Sequence, residues 1–234
     1  MFVMKKIMSF PRRISFLALS CFLLFLIFGC QATQGIYTSA APEGGIALSR
    51  LAVLPFQDLT PEDPAARMTS CPLCGAIFQT DKLAPAAEQV VEEMVLTSFR
   101  EYKQITLADP VDTAQVYARN VASGPANLPE TLQKTGNELN VDAILVGYVF
   151  RYRERKGNAY SVEKPASVAF DLHLVRVKDG HTIWRGAFDK TQSSLMENMF
   201  QLPSFFSGGG KWVTAKELSA DGLAAVLKTF PGIN

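Results

Sequence analysis

VDAILVGYVF, residues 141–150, is apolar at both its odd and its even positions, with only Asp142 and Gly147 breaking the run. A strand that presents apolar side chains to both sides is buried on both, as a central strand covered by packed elements on two faces. The segments downstream suit that centre. Ser167–Val177 alternates, with Val168, Phe170, Leu172 and Leu174 on one face and Asp171 and His173 on the other. Lys178-Asp179-Gly180 then makes a hairpin turn, with glycine where a positive φ is needed. Residues 181–191 return as a partner strand carrying Ile183, Trp184 and Phe188. A last helix is expected over residues 214–229, ahead of Pro231 and Gly232.

Upstream, Arg50–Phe56 is a short apolar strand that meets Pro55 at its end. Residues 57–84, with Pro61, Pro64 and Pro72, have no period and are expected to be a long loop. From Pro85 the spacing turns helical, since Ala87, Val90, Val91, Met94, Val95, Phe99 and Tyr102 recur at three- and four-residue steps. Gln104–Ala108 is a second brief strand. Asp109 and Pro110 are an N-cap and first-turn pair opening a helix. Leu128, Leu132 and Leu139 mark another, ending near Asn140. The order β-α-β-α-α-β-β-β-α implies an α/β fold. We expect a single three-layer-like domain, a mixed sheet with an antiparallel C-terminal hairpin and flanking helices.

The first thirty residues concern address rather than fold. Lys5, Lys6, Arg12 and Arg13 precede an apolar run from Ile14 to Phe28, with no acidic residue before Glu43. A basic segment followed by such a run reads as an export signal, and it is shorter than the roughly 20 residues of a membrane span. Ile27-Phe28-Gly29-Cys30 resembles a bacterial lipobox. The resemblance implies a signal peptide over 1–29 and a Cys30 carrying several acyl chains. Each buried CH₂ of such chains contributes about 0.8 kcal/mol of membrane affinity. Gln31 after the cysteine favours the periplasmic face of the outer membrane over retention at the inner one. Residues 31–45, small and Gly/Pro-rich, are expected to be a flexible tether from Cys30 to a periplasmic domain over 46–234. Removing the four basic residues of the signal from 23 leaves 19 against 22 acidic, about −3. With no basic block left, nucleic acid is not an expected partner.

Cys71-Pro-Leu-Cys74-Gly75 is the one constellation with its own chemistry. In an oxidising envelope, the plainest reading is a disulfide that stiffens a long loop. A thiol-redox centre would place the pair at the start of a helix, whereas the helix here begins about ten residues later. A zinc site needs four ligands, and no second cysteine pair follows. The only histidines, His173 and His181, are expected on a distant hairpin, although zinc shared between subunits stays open. Haem attachment fails, because Gly75 stands where histidine is required. We expect no metal and no cofactor, with a zinc-binding or thiol-redox envelope protein using Cys71 and Cys74 as the alternative.

Two further stretches stand out. Met196, Met199, Phe200, Phe205 and Phe206, with Leu202, crowd one connection and are expected either to cover an edge of the sheet or to form a patch for a partner subunit or the membrane. Ser207–Lys211 lacks the spacing of a phosphate-binding loop. Neither G-x-S-x-G nor H-E-x-x-H occurs, and Glu92 and Glu93 are expected on a helix's solvent face. No catalytic residue is expected, so the chain is not expected to be an enzyme.

Three motifs carry a resemblance. Leu51-Ala-Val-Leu-Pro-Phe56, Glu138-Leu-Asn-Val-Asp-Ala-Ile-Leu-Val-Gly147 and Val175-Arg-Val-Lys-Asp-Gly-His-Thr-Ile-Trp184 resemble segments of a broad family of bacterial envelope lipoproteins. That family includes the curli-secretion lipoprotein CsgG, the Pel-exopolysaccharide lipoprotein PelC and the penicillin-binding-protein activator LpoB. These are core and turn positions and speak to fold. The long inserted hairpins with which CsgG builds a pore are missing, because the stretch after Arg151 is too charged and short. The resemblance implies a non-catalytic, self-associating or docking partner of export or envelope machinery.

Overall fold

The computed structural model describes residues 35–40, 48–63, 65–123, 127–192 and 211–232. Cys30 and the apolar group Met196, Met199, Phe200, Phe205 and Phe206 lie outside the described residues. The expected α/β class with a mixed sheet is the observed one. Strands β1 (Gly35–Ala40), β2 (Arg50–Val53), β3 (Gln57–Asp58), β6 (Thr106–Leu107), β7 (Ala143–Arg153), β10 (Ser167–Arg176) and β11 (Thr182–Thr191) form a seven-stranded sheet. Its order is β1-β11-β10-β7-β2-β6, with β3 also pairing β7. The β1, β11, β10 and β7 half is antiparallel, while β2, β3 and β6 join in parallel. Two small hairpins stand apart, β4 (Met68–Ser70) with β5 (Ile77–Gln79), and β8 (Lys156–Gly157) with β9 (Val162–Lys164).

Strand β7 is the central strand that its composition requires, buried from Ala143 to Tyr152. One face of the sheet carries Leu51, Val53, Leu145, Val149, Val168, Phe170, Leu172, Trp184 and Phe188. Helices α1 (Ala87–Arg100) and α4 (Ala215–Leu227) cover it with Val91, Val95, Phe99, Leu223 and Val226. Trp184 and Phe99 both meet Phe230 edge-on. The other face carries Ala52, Leu54, Ile144, Val146, Tyr148, Phe150 and Val175, packed with Leu132, Leu139 and Tyr117 of helices α2 (Pro110–Ser123) and α3 (Leu128–Leu139).

Local signals behave as their chemistry dictates. Asp109 accepts from the N–H groups of Val111 and Asp112, and Asn140 closes α3 in the left-handed region. Thr214 and Glu217 cap α4 reciprocally. Gly180 sits at φ 70° in the turn. Asp142 accepts from the N–H groups of Ser49 and Arg50, locking β2 beside β7. A Cβ on Gly147 would stand 2.4 Å from the Phe56 ring, so glycine lets that ring lie on the strand.

Three expectations are corrected. Residues 57–84 are not one loop, because they contain β3 and the β4–β5 hairpin. These strands are two or three residues long and stabilised by distant partners, so no period marks them. Gly35–Ala40 is not tether but edge strand β1, six residues paired to β11. Its small polar residues hide a β pattern around Ile36, Tyr37 and Thr38. Glu92 does not face solvent alone, since it accepts the N–H of Phe56 at 2.9 Å. Burial of that carboxyl raises its pKa, partly offset by the bond. Among the described residues, no helix is long and apolar enough to cross a membrane.

Candidate functional site

Alternation along β10 points Asp171 and His173 to the face opposite Phe170 and Leu172. A solvated sheet surface would leave them wet, but both are fully buried. What covers them is the β4–β5 hairpin. Phe78 stacks on Phe150 of β7 at 4.0 Å between ring centroids, and Arg151 donates to the carbonyl of Gln79 at 2.8 Å. Together these fix the hairpin on the sheet. Its tip is tightly wound, with the Cys71 N–H donating to Ala76, the Gly75 N–H donating to Cys71, and Gly75 at φ 70°. Only glycine adopts that conformation readily, and the turn directs both thiols toward β10.

Cys71, Cys74, Asp171 and His173 thereby converge. Their ligand atoms all lie within 4.8 Å of one another. Cys71 Sγ is 3.2 Å from His173 Nε2, and Cys74 Sγ is 3.5 Å from Asp171 Oδ2. His173 Nε2 is also 3.2 Å from Asp171 Oδ2. Behind them Arg185 of β11 donates from Nε and Nη2 to the Asp171 carboxylate at 2.9–3.1 Å. The Tyr148 ring meets the imidazole edge-on at 6.1 Å. Cys71 is 2% exposed, whereas Cys74 is exposed at the rim.

The electrostatics follow from this crowding. Burial pushes the Cys71 thiol up to about 12, and the Asp171 charge adds to it. Burial also works to raise Asp171, but hydrogen bonds from His173 and Arg185 outweigh it and hold the carboxyl below its ordinary value. Burial raises Tyr148 in the same way. A second buried polar group lies further along this face. Arg151 donates to Ser167 and pairs with Asp189, a cation held with its counter-charge under the hairpin.

Both cysteines are free thiols here, so the expected disulfide is not formed in this structure. The expectation that His173 lies away from the Cys71–Cys74 loop is wrong, because the hairpin folds across roughly a hundred residues of sequence onto β10. His181 does stay apart, exposed at the turn with Nδ1 3.4 Å from Asp179. Taken singly, Asp171 and Arg185 carry no sequence mark of a site, and His173 enters the sequence reading only as a zinc ligand set aside as too distant. The one signal was a histidine and an acid two residues apart on a single strand face. A thiol nucleophile is poorly served by this geometry, since Cys71 is buried, has a raised pKa and sits in a hairpin turn rather than at a helix N-terminus. The set of two sulfurs, an imidazole and a carboxylate matches the donors of a thiophilic divalent cation.

No protein-family model matches the chain, and no curated protein matches it. Solved structures of similar architecture include the PelC dodecamer from Paraburkholderia phytofirmans, 14% identical over 85% of this chain and 96% of that one, with a TM-score of 0.48. The lipoprotein GNA1162 from Neisseria meningitidis is 14% identical over 68% of this chain and 92% of that one, at 0.41. The LpoB C-terminal domain from Escherichia coli is 14% identical over 63% and 88%, at 0.38. PelC and LpoB, two members of the family that the motifs resemble, are thus among these neighbours. At such identities and scores the likeness carries no argument about function.

Proposed function

We propose that this chain is a lipid-anchored accessory module of the bacterial outer-membrane envelope, acting by binding rather than by catalysis. It is exported by its N-terminal signal, acylated on Cys30 and held at the periplasmic face. There it self-associates or docks onto export or cell-wall machinery. The observation that carries this reading is the lipobox-like Ile27–Cys30 placed just ahead of the sheet. Only four residues separate Cys30 from β1, a covalent reach of about 17 Å at most. Such a leash holds a folded domain against a membrane surface.

Strand β1 supports the binding half of the proposal. It closes one edge of the described sheet, with Ile36 and Tyr37 large and exposed, and a sheet edge of that kind is a template for a further strand. The group Met196, Met199, Phe200, Phe205 and Phe206, which begins five residues beyond β11 in sequence, is a second candidate surface. The test is maturation in the native host. Globomycin, or Cys30→Ala, blocks processing if the proposal holds, so that the chain accumulates as a heavier precursor held by its uncleaved signal at the inner membrane instead of reaching the outer one. Unchanged processing and fractionation overturn it.

A further inference from the structure

We propose that Cys71, Cys74, His173 and Asp171 bind one zinc ion, which clamps the β4–β5 hairpin onto strand β10. This site stands independently of where the chain resides. Its first support is metric. A tetrahedral zinc with bonds of about 2.3 Å to sulfur and 2.0–2.2 Å to nitrogen or oxygen has ligand–ligand edges of roughly 3.3–3.8 Å. The observed edges of 3.2, 3.5 and 3.2 Å already lie near that range. The remaining distances extend to within 4.8 Å, so the ion would draw the four side chains together by up to about 1 Å.

The second support is the failure of the protein's own hydrogen bonds to account for the cluster. His173 Nε2 faces both Cys71 Sγ and Asp171 Oδ2, and it can donate to only one of them. Nδ1, also fully buried, has no hydrogen-bond partner among the described residues, and a cation on Nε2 leaves it so, which puts the weight of this support on Nε2. A cation at the focus of the four ligand atoms gives Nε2, both sulfurs and the carboxylate oxygen one common partner.

Charge balance is the third support. Two thiolates and one carboxylate carry −3, zinc supplies +2, and Arg185, bound to the outer side of Asp171, brings the total to zero. A neutral set is what a buried site requires. Binding releases the two thiol protons to solvent and changes no oxidation state. Arg185 is then the outer-sphere group that orients the carboxylate, a role whose loss typically costs 10–100-fold in metal affinity. Four protein ligands leave no open position, so the site is structural rather than hydrolytic.

The experiment uses the full chain, solubilised in mild detergent and kept reduced with a non-chelating phosphine. Elemental analysis is expected to find one zinc per chain. Chelator-stripped protein refilled with cobalt(II) should show the intense visible bands of tetrahedral thiolate coordination. Cys74→Ser, at the exposed rim and outside the core, should abolish stoichiometric zinc while leaving the far-ultraviolet circular dichroism unchanged. His173→Gln should do the same. Arg185→Leu should weaken zinc by about 10–100-fold in competition with a chromophoric chelator. A Cys71–Cys74 disulfide in the isolated chain with no zinc or cobalt taken up after reduction overturns the proposal. So does cobalt binding that survives Cys74→Ser and His173→Gln unchanged.

Discussion

Two regions of one sheet are built on different principles. Beneath α1 and α4, the face around Phe170, Trp184 and Phe188 is held by apolar area and ring packing. Beneath the β4–β5 hairpin, the face around Arg151, Asp171 and His173 is held by buried charge and hydrogen bonds. Both are dry, but a dry apolar face is stable by itself, whereas a dry polar face depends on every partner being present. Apolar packing on both faces, under α1 and α4 and under α2 and α3, therefore carries the stability of the domain, and the polar patch beneath the hairpin decides where that hairpin sits.

The largest effect that tests this contrast belongs to the apolar face. Phe170 is fully buried against Phe188. Phe170→Ala should lower unfolding free energy by about 3–5 kcal/mol, read as a shift in denaturant midpoint. On the polar patch, Arg151→Met leaves the partly buried Asp189 without its cation and frees the Gln79 carbonyl. Breaking such a pair costs about 3 kcal/mol. Here, however, hydrogen exchange should speed most at the β5 amides, while α1 and α4 keep their protection. Uniform loss of protection in both variants would break the distinction between the regions.

The smallest effect concerns pH, at the hairpin's downstream end. Burial works to raise the Asp81 carboxyl, but Arg153 at 2.6 Å and the Lys82 N–H outweigh it and hold its pKa below the ordinary value. A carboxyl depressed in the folded state contributes stability that is complete well above its unfolded pKa of about 3.9 and is lost as pH falls through the folded value. Asp81→Asn should therefore lower stability slightly at neutral pH and flatten the decline below about pH 4. Equal acid sensitivity in the two proteins would mean that this pair does not help to seat the hairpin.

The contrast between regions is also a contrast in legibility. Period and turn chemistry announce the apolar face, because each strand and helix buries its own stripe and repeats it locally. Val168, Phe170, Leu172 and Leu174 sit where their alternation puts them, as do Asp179 and Gly180 in the turn. The polar face is invisible by the same logic. Asp171 and His173 look like solvent-facing residues until a Pro-rich segment without period is known to fold over them. Cys71 lies 102 residues from His173, and nothing local in either segment encodes that meeting. Strand β1 was hidden for a related reason, since its pairing with β11 rather than its own composition makes it a strand.

The proposed cation is what organises the polar patch beneath the hairpin. Zinc K-edge X-ray absorption on the reduced full chain tests it directly. The prediction is a four-coordinate shell with two sulfurs at about 2.3 Å and two nitrogen or oxygen atoms at about 2.0–2.2 Å. A chain without zinc, or a zinc shell without sulfur, contradicts it.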